Sequence, residues 1–137
     1  MGASSIRILV VDDYQPWRRF VCSMLQKEPE LLVVGEAEDG LDAVQQAQAL
    51  KPDLILMDVG LPKLNGIEAA NRIGVVAPTA KILFLSTTKD ANVVRAALSN
   101  GAMGYVLKPD AGTELLSAIE AVLRGEVFVS SRLTEHQ

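Results

Sequence analysis

Ile6-Arg7-Ile8-Leu9-Val10-Val11-Asp12-Asp13 is a mostly β-branched, nearly continuous apolar run that ends abruptly in two carboxylates. A strand that stays apolar without alternating is one covered on both faces, as in a parallel sheet between two layers of helices. Runs of the same kind recur at 31–37, 53–57, 81–85 and 102–107, which with 6–11 makes five candidate strands.

Segments of helical periodicity separate them. Trp17, Phe20, Val21, Met24 and Leu25 form one apolar stripe, with Pro16 tolerated in the first turn. Leu41, Val44 and Ala47 mark a second helix, capped by Asp39 and closed by Pro52. Asn65 and Glu68 have capping-box spacing ahead of Ile67, Ala70 and Ile73. Val93, Val94, Ala97 and Leu98 stop at Asn100-Gly101, and Leu115, Leu116, Ile119, Val122 and Leu123 stop at Gly125. Strand then helix, repeated, predicts parallel strands joined by right-handed crossovers in one α/β domain over 1–125. Residues 126–137 have no clear assignment and read as a C-terminal tail or the start of a linker.

Composition narrows the functional classes. The 137 residues carry 13 basic and 17 acidic side chains, with no Lys/Arg run that could serve as a nucleic-acid surface. Cys22 is the only cysteine, which excludes an intrachain disulfide and suits a reducing compartment. No apolar run approaches the ~20 residues of a membrane span, and Val11 leads straight into Asp12 with no signal-peptide pattern. The expectation is a cytoplasmic protein that binds neither membrane nor, through this segment, nucleic acid.

In an open parallel sheet, ligands bind beyond the carboxyl ends of the strands. Asp12 and Asp13 follow the first strand, Asp58 the third, Ser86, Thr87 and Thr88 the fourth, and Lys108 with Pro109 the fifth. The second ends less distinctively, in the turn Glu38-Asp39-Gly40. Clustered carboxylates repel unless a cation lies among them, and an all-oxygen donor set favours a hard ion that keeps waters, Mg2+ above others. Cys22 in a helix and His136 in the tail are poor partners for zinc. Metal, ammonium and hydroxyl together suit phosphoryl transfer, where charge spreads over three equatorial oxygens. Asp58 is then the nucleophile, forming an aspartyl phosphate.

These residues resemble the receiver domains of bacterial two-component response regulators. The matching pieces are Ile8–Asp13, Asp53–Asp58, Leu61-Pro62 with Gly66, Leu83–Ser86 and Gly104–Pro109, in order over about residues 6 to 125. The resemblance implies a doubly wound (βα)5 flavodoxin-like three-layer sandwich with sheet order 2-1-3-4-5. It implies Asp58 as phosphoacceptor and Asp13 as a direct metal ligand, with Asp12 acting mainly through water. It also implies the Gly60 backbone carbonyl as a further ligand, Mg2+ (or Mn2+) as cofactor, and a cis Lys108–Pro109 bond. Lys108 pairs first with the carboxylate and then with the phosphate. Ser86 and Tyr105 form a switch pair, the hydroxyl moving to the phosphate as the ring swings inward, so that the face of helix 4, strand 5 and helix 5 has two states.

The partner implied is a sensor histidine kinase, with Gln15, Arg18, Arg19 and Phe20 as candidate recognition residues, and a homodimer is a further option. Such a domain catalyses its own phosphorylation and dephosphorylation without turning over a substrate. Gly60 and Thr88 occupy the positions that tune phosphate lifetime in the family, and neither carries a group to position a water. The stretch from Asp110 to Ser130 resembles receivers that precede a helix-turn-helix domain of the NarL/FixJ type, which suggests transcription regulation. The sequence leaves open whether such a domain was removed.

Duller roles exist for each residue. Either Asp12 or Asp13 could cap helix 1, Ser86 to Thr88 could cap helix 4, Lys108 could be solvated, and Tyr105 could be core. Trp17 reads as core packing, near enough to the acidic pair to report metal binding. Two other functional classes compete. A haloacid-dehalogenase-like hydrolase needs Asp-x-Asp after the first strand, which Asp12-Asp13-Tyr14 lacks. A phosphorylation-independent pseudo-receiver usually loses one of the acids or the lysine, and all are present. Nucleotide or flavin binding is disfavoured because no Gly-rich loop follows the first strand.

Overall fold

The computed structural model describes residues 5–134, so His136 lies outside the described residues. Its strands are β1 (Ile6–Val11), β2 (Leu31–Ala37), β3 (Leu54–Met57), β4 (Lys81–Ser86), β5 (Gly104–Leu107) and β6 (Phe128–Val129). The helices are α1 (Gln15–Gln26), α2 (Gly40–Leu50), α3 (Gly66–Val76), α4 (Ala91–Ser99), α5 (Ala111–Leu123) and the short α6 (Ser131–Thr134). All strand pairs are parallel, in the order β2-β1-β3-β4-β5-β6.

Alternate residues of the central strands feed two cores, which is why these strands read as unbroken apolar runs. Leu9, Val11, Ile55, Met57, Phe84 and Tyr105 pack on one face with Ala43 and Ala47 of α2, Ala69, Ala70 and Ile73 of α3, and Ala97 of α4. Ile8, Val10, Leu54, Leu56, Leu83, Leu85 and Val106 pack on the other with Val21 and Leu25 of α1 and the inner side of α5. The caps fall where the turn chemistry put them. Asp39 accepts from the Asp42 amide at 2.7 Å, and Asn65 from the Glu68 amide at 3.0 Å.

Three details differ from the sequence reading. Helix α2 turns Ala43 and Ala47 inward and leaves Leu41 exposed, because the small residues let the helix lie close to its neighbours. On α1 it is Arg18 that is buried and Phe20 that is exposed. Beyond the five expected strands, the segment from 126 folds back as β6 on the open edge of β5, with Tyr105 opposite Val129. Gly104 permits this approach, since a Cβ there would stand 3.1 Å from the Phe128 carbonyl oxygen and 2.4 Å from Leu83 Cδ1. Ser130, fully buried, fixes the end of β6: its Oγ accepts from the Leu107 amide at 2.8 Å and donates to Glu114 Oε1 at 2.7 Å.

Candidate functional site

Because β1, β3, β4 and β5 are parallel, Asp12, Asp13, Asp58, Ser86 and Lys108 all emerge at one end of the sheet. Oxygens of Asp12, Asp13 and Asp58 lie within 4.8 Å of one another. Lys108 reaches across from the end of β5, its Nζ 2.6 Å from Asp12 Oδ2 and 3.2 Å from Asp58 Oδ2. One ammonium thus faces three carboxylates, and a divalent cation is the natural further counter-charge for an all-oxygen set.

Each carboxylate has its own setting. Asp12 is buried, and its second oxygen accepts from the Tyr14 amide at 2.8 Å. Burial pushes its carboxyl up from the ordinary value, against the pull of Lys108 and the Tyr14 amide. Burial also weakens the Lys108 ammonium, but the neighbouring carboxylates outweigh this and hold it above the ordinary lysine value. The ammonium is therefore charged at neutral pH. Asp13 is exposed, and α1 begins after Tyr14 without a side-chain cap, so capping does not account for the acidic pair.

Asp58 begins a tight loop. Its Oδ1 accepts from the Gly60 amide at 3.3 Å, and the Gly66 amide donates to the Val59 carbonyl at 2.7 Å. Gly66 is required by this closure, because a Cβ there would stand 2.1 Å from the Asp58 carbonyl oxygen. Gly60 is exposed and nothing crowds it.

Ser86 and Tyr105 meet at the backbone of one residue. Ser86 Oγ accepts from the Thr88 amide at 3.2 Å, while the Tyr105 hydroxyl donates to the Thr88 carbonyl at 3.0 Å. The Tyr105 ring is fully buried beside Phe84, with centroids 6.3 Å apart, so it already holds the inward position. That burial raises its phenol above the ordinary value. Helix α4 is capped by Asp90, whose side chain accepts from the Asn92 amide, which leaves Ser86 free of a capping role. Thr87 is exposed, and among the described residues no hydrogen bond joins it to the site.

Some expectations are corrected and some partners were missed. No peptide bond is cis among the described residues; Lys108–Pro109 is trans, with Pro109 in the first turn of the 3-10 helix Lys108–Asp110, where its fixed φ fits. Arg18 is withdrawn from any recognition surface: it donates to the Asp12 carbonyl at 2.7 Å and pairs with Glu36 at 3.1 Å. The Lys108–Asp12 bond escaped the sequence reading, since nothing local marks which acid a lysine 96 residues away prefers. Trp17 is more than core packing, because its ring centroid lies 5.2 Å from Lys108 Nζ. Among the described residues no helix is long and apolar enough to cross a membrane.

Comparison with known proteins bears on the family and the fold. Residues 8–120 match the family model described as the response regulator receiver domain. The transcriptional regulatory protein DegU of Brevibacillus brevis is 37% identical over 99% of this chain, which spans only 58% of that relative. A protein-glutamate methylesterase/protein-glutamine glutaminase of Thermotoga maritima is 44% identical over 80% of this chain and is matched over 32% of its own length. A crystal structure of a LuxR-family two-component response regulator from Aurantimonas sp. SI85-9A1 superposes with a TM-score of 0.91 at 33% identity, over 96% of this chain and 94% of that one.

Proposed function

This chain belongs to the response regulator receiver domain family, and from that premise we propose that it takes a phosphoryl group from a sensor histidine kinase onto Asp58. A carboxylate oxygen of Asp58 attacks phosphorus as the P–N bond of the donor phosphohistidine breaks. The electron pair leaves on the imidazole, which takes up a proton. The product is an acyl phosphate. Lys108, already charged and within reach of Asp58, offsets the charge of one phosphoryl oxygen, and the Ser86 hydroxyl donates to another.

The oxygen-only donor set fits Mg2+, with Mn2+ as an alternative. Asp13, Asp58, the Gly60 carbonyl and, less directly, Asp12 would hold it. When bound, the ion supplies positive charge against the phosphoryl oxygens. The observation that carries the reading is the ammonium bridging Asp12 and Asp58 beside Asp13, a charge pattern short of cations that a divalent ion would complete.

The output is a separate matter. The name of the DegU relative supports transcription regulation as the output, and this chain spans 58% of that relative. The methylesterase relative carries the same kind of domain beside a different activity, so the output does not follow from this domain. Pairing of two copies is a further part of this proposal. The test is the intact mass after incubation with acetyl phosphate and Mg2+. One phosphoryl adduct is expected, absent with EDTA and in Asp58→Asn. No adduct on the native chain would favour the pseudo-receiver reading.

A further inference from the structure

We propose that Trp17 is a positioning residue for phosphoryl transfer, its indole face holding the Lys108 ammonium against the carboxylates; this rests on the phosphoacceptor reading above. The Lys108 Nζ lies 5.2 Å from the indole centroid, inside the ~6 Å reach of a cation–π attraction. Two carboxylates and the ring therefore surround one ammonium, with the Lys108 side chain only 15% exposed.

The ring's own placement is fixed from both sides. Trp17 sits in the first turn of α1, where its amide donates to the Tyr14 carbonyl at 3.1 Å, and the Tyr14 amide in turn donates to Asp12 Oδ1 at 2.8 Å, which ties the start of the helix to the acidic pair. Phe20, one turn on, stacks obliquely on it with centroids 5.2 Å apart and planes at 38°. The Trp17 side chain is only half-buried and joins the core at its margin. A purely apolar role would call for burial among aliphatic groups, and this ring instead lies beside a charge.

The chemistry rewards this placement. A lysine stem has many rotamers, and freezing them before phosphate arrives removes a cost from the transfer step. The ring attracts the ammonium without competing with phosphoryl oxygen for its N–H donors. It also shields the ammonium from water, which strengthens its pull on developing charge.

Trp17 is the chain's one tryptophan, so biosynthetic incorporation of mono-, di- and trifluorotryptophan changes this ring alone. Fluorine withdraws electron density from the face while nearly keeping its shape. The rate of acetyl phosphate-driven phosphorylation should fall stepwise with fluorine number. It should fall about 3- to 30-fold in Trp17→Leu, the rate equivalent of a cation–π contact, with Trp17→Phe recovering most of the loss. In the native chain the Lys108 methylene protons nearest the ammonium should resonate upfield from the indole ring current and return to ordinary positions in Trp17→Leu.

A phosphorylated chain whose rate ignores fluorination, with the Leu and Phe variants alike, would overturn this proposal alone. Unshifted Lys108 resonances in the native chain would do the same. A native chain that takes no phosphoryl group would overturn the parent reading, and Trp17's part in transfer with it.

Discussion

Lys108 Nζ lies 2.6 Å from Asp12 Oδ2, so a residue after β5 is clamped to a residue after β1 across the two strands that separate them. The clamp is tighter than the 3.2 Å contact to Asp58. Lys108 therefore rests chiefly on the acid that is buried, and leaves the proposed nucleophile less encumbered.

Removing that cation should expose the repulsion it suppresses. Lys108→Met keeps the length of the side chain and leaves Asp12, Asp13 and Asp58 without their ammonium. Urea unfolding at pH 7 in EDTA should show a loss of about 2 kcal/mol, typical of breaking a mostly buried charged hydrogen bond. Added Mg2+ should recover part of it. An unchanged midpoint in EDTA would mean that the carboxylates do not strain the apo fold.

Asp13→Asn should act with the opposite sign. Asp13 is exposed and has no ammonium of its own, so its charge adds repulsion to neighbours within 4.8 Å. Removing it should raise stability in EDTA by on the order of 1 kcal/mol. It should also abolish most of the stabilisation that Mg2+ gives the native chain. Thermal unfolding with and without MgCl2 reads both effects, and a variant that Mg2+ still stabilises fully would remove Asp13 from the proposed metal site.

The reach of the sequence is visible in these same residues. Strand ends were legible because an apolar run stopping at Asp12, Asp58 or Lys108 fixes both the strand and the side of the sheet where its next residue emerges. Which of those residues pair was not, because the Asp12–Lys108 contact depends on loop geometry that no local pattern encodes. Arg18 looked like a surface charge on helical spacing, and only the fold brings the Asp12 carbonyl and Glu36 to it. β6 was missed for a related reason. A strand as short as Phe128–Val129 has no periodicity to read, and its presence follows from the space at Gly104 and the hydrogen bonds of Ser130.

Tyr105 gives a pH dependence whose sign follows from its burial. Its phenol is held above the ordinary value of 10.0, so the folded chain keeps this proton after the unfolded chain has lost it. The stability contributed is complete below pH 10.0 and is lost as pH rises from there through the folded value. In Tyr14→Phe, where Tyr105 is the one remaining tyrosine, phenolate absorbance should titrate with a midpoint above 10.0. Tyr105→Phe should lose stability less steeply than the native chain over the same range. A midpoint at or below 10.0 would place the ring in water, in conflict with its bond to the Thr88 carbonyl.

Ser130→Ala should loosen the tail and leave the carboxylate cluster in place. The hydroxyl is fully buried and serves both the Leu107 amide and Glu114. Without it a buried N–H at the end of β5 loses its acceptor, at a cost of about 1–3 kcal/mol. Hydrogen exchange should accelerate at Leu107, one residue before Lys108, and at Phe128 and Ser130, whose amides donate to the Met103 and Tyr105 carbonyls. Glu114→Gln keeps an acceptor oxygen for Ser130 and should cost less than Glu114→Ala. If the Ser130→Ala chain exchanges faster at residues 128–130 but not at Leu107, the hydroxyl steadies β6 without restraining the end of β5. The serine would then have no mechanical link to the strand that carries Tyr105 and precedes Lys108.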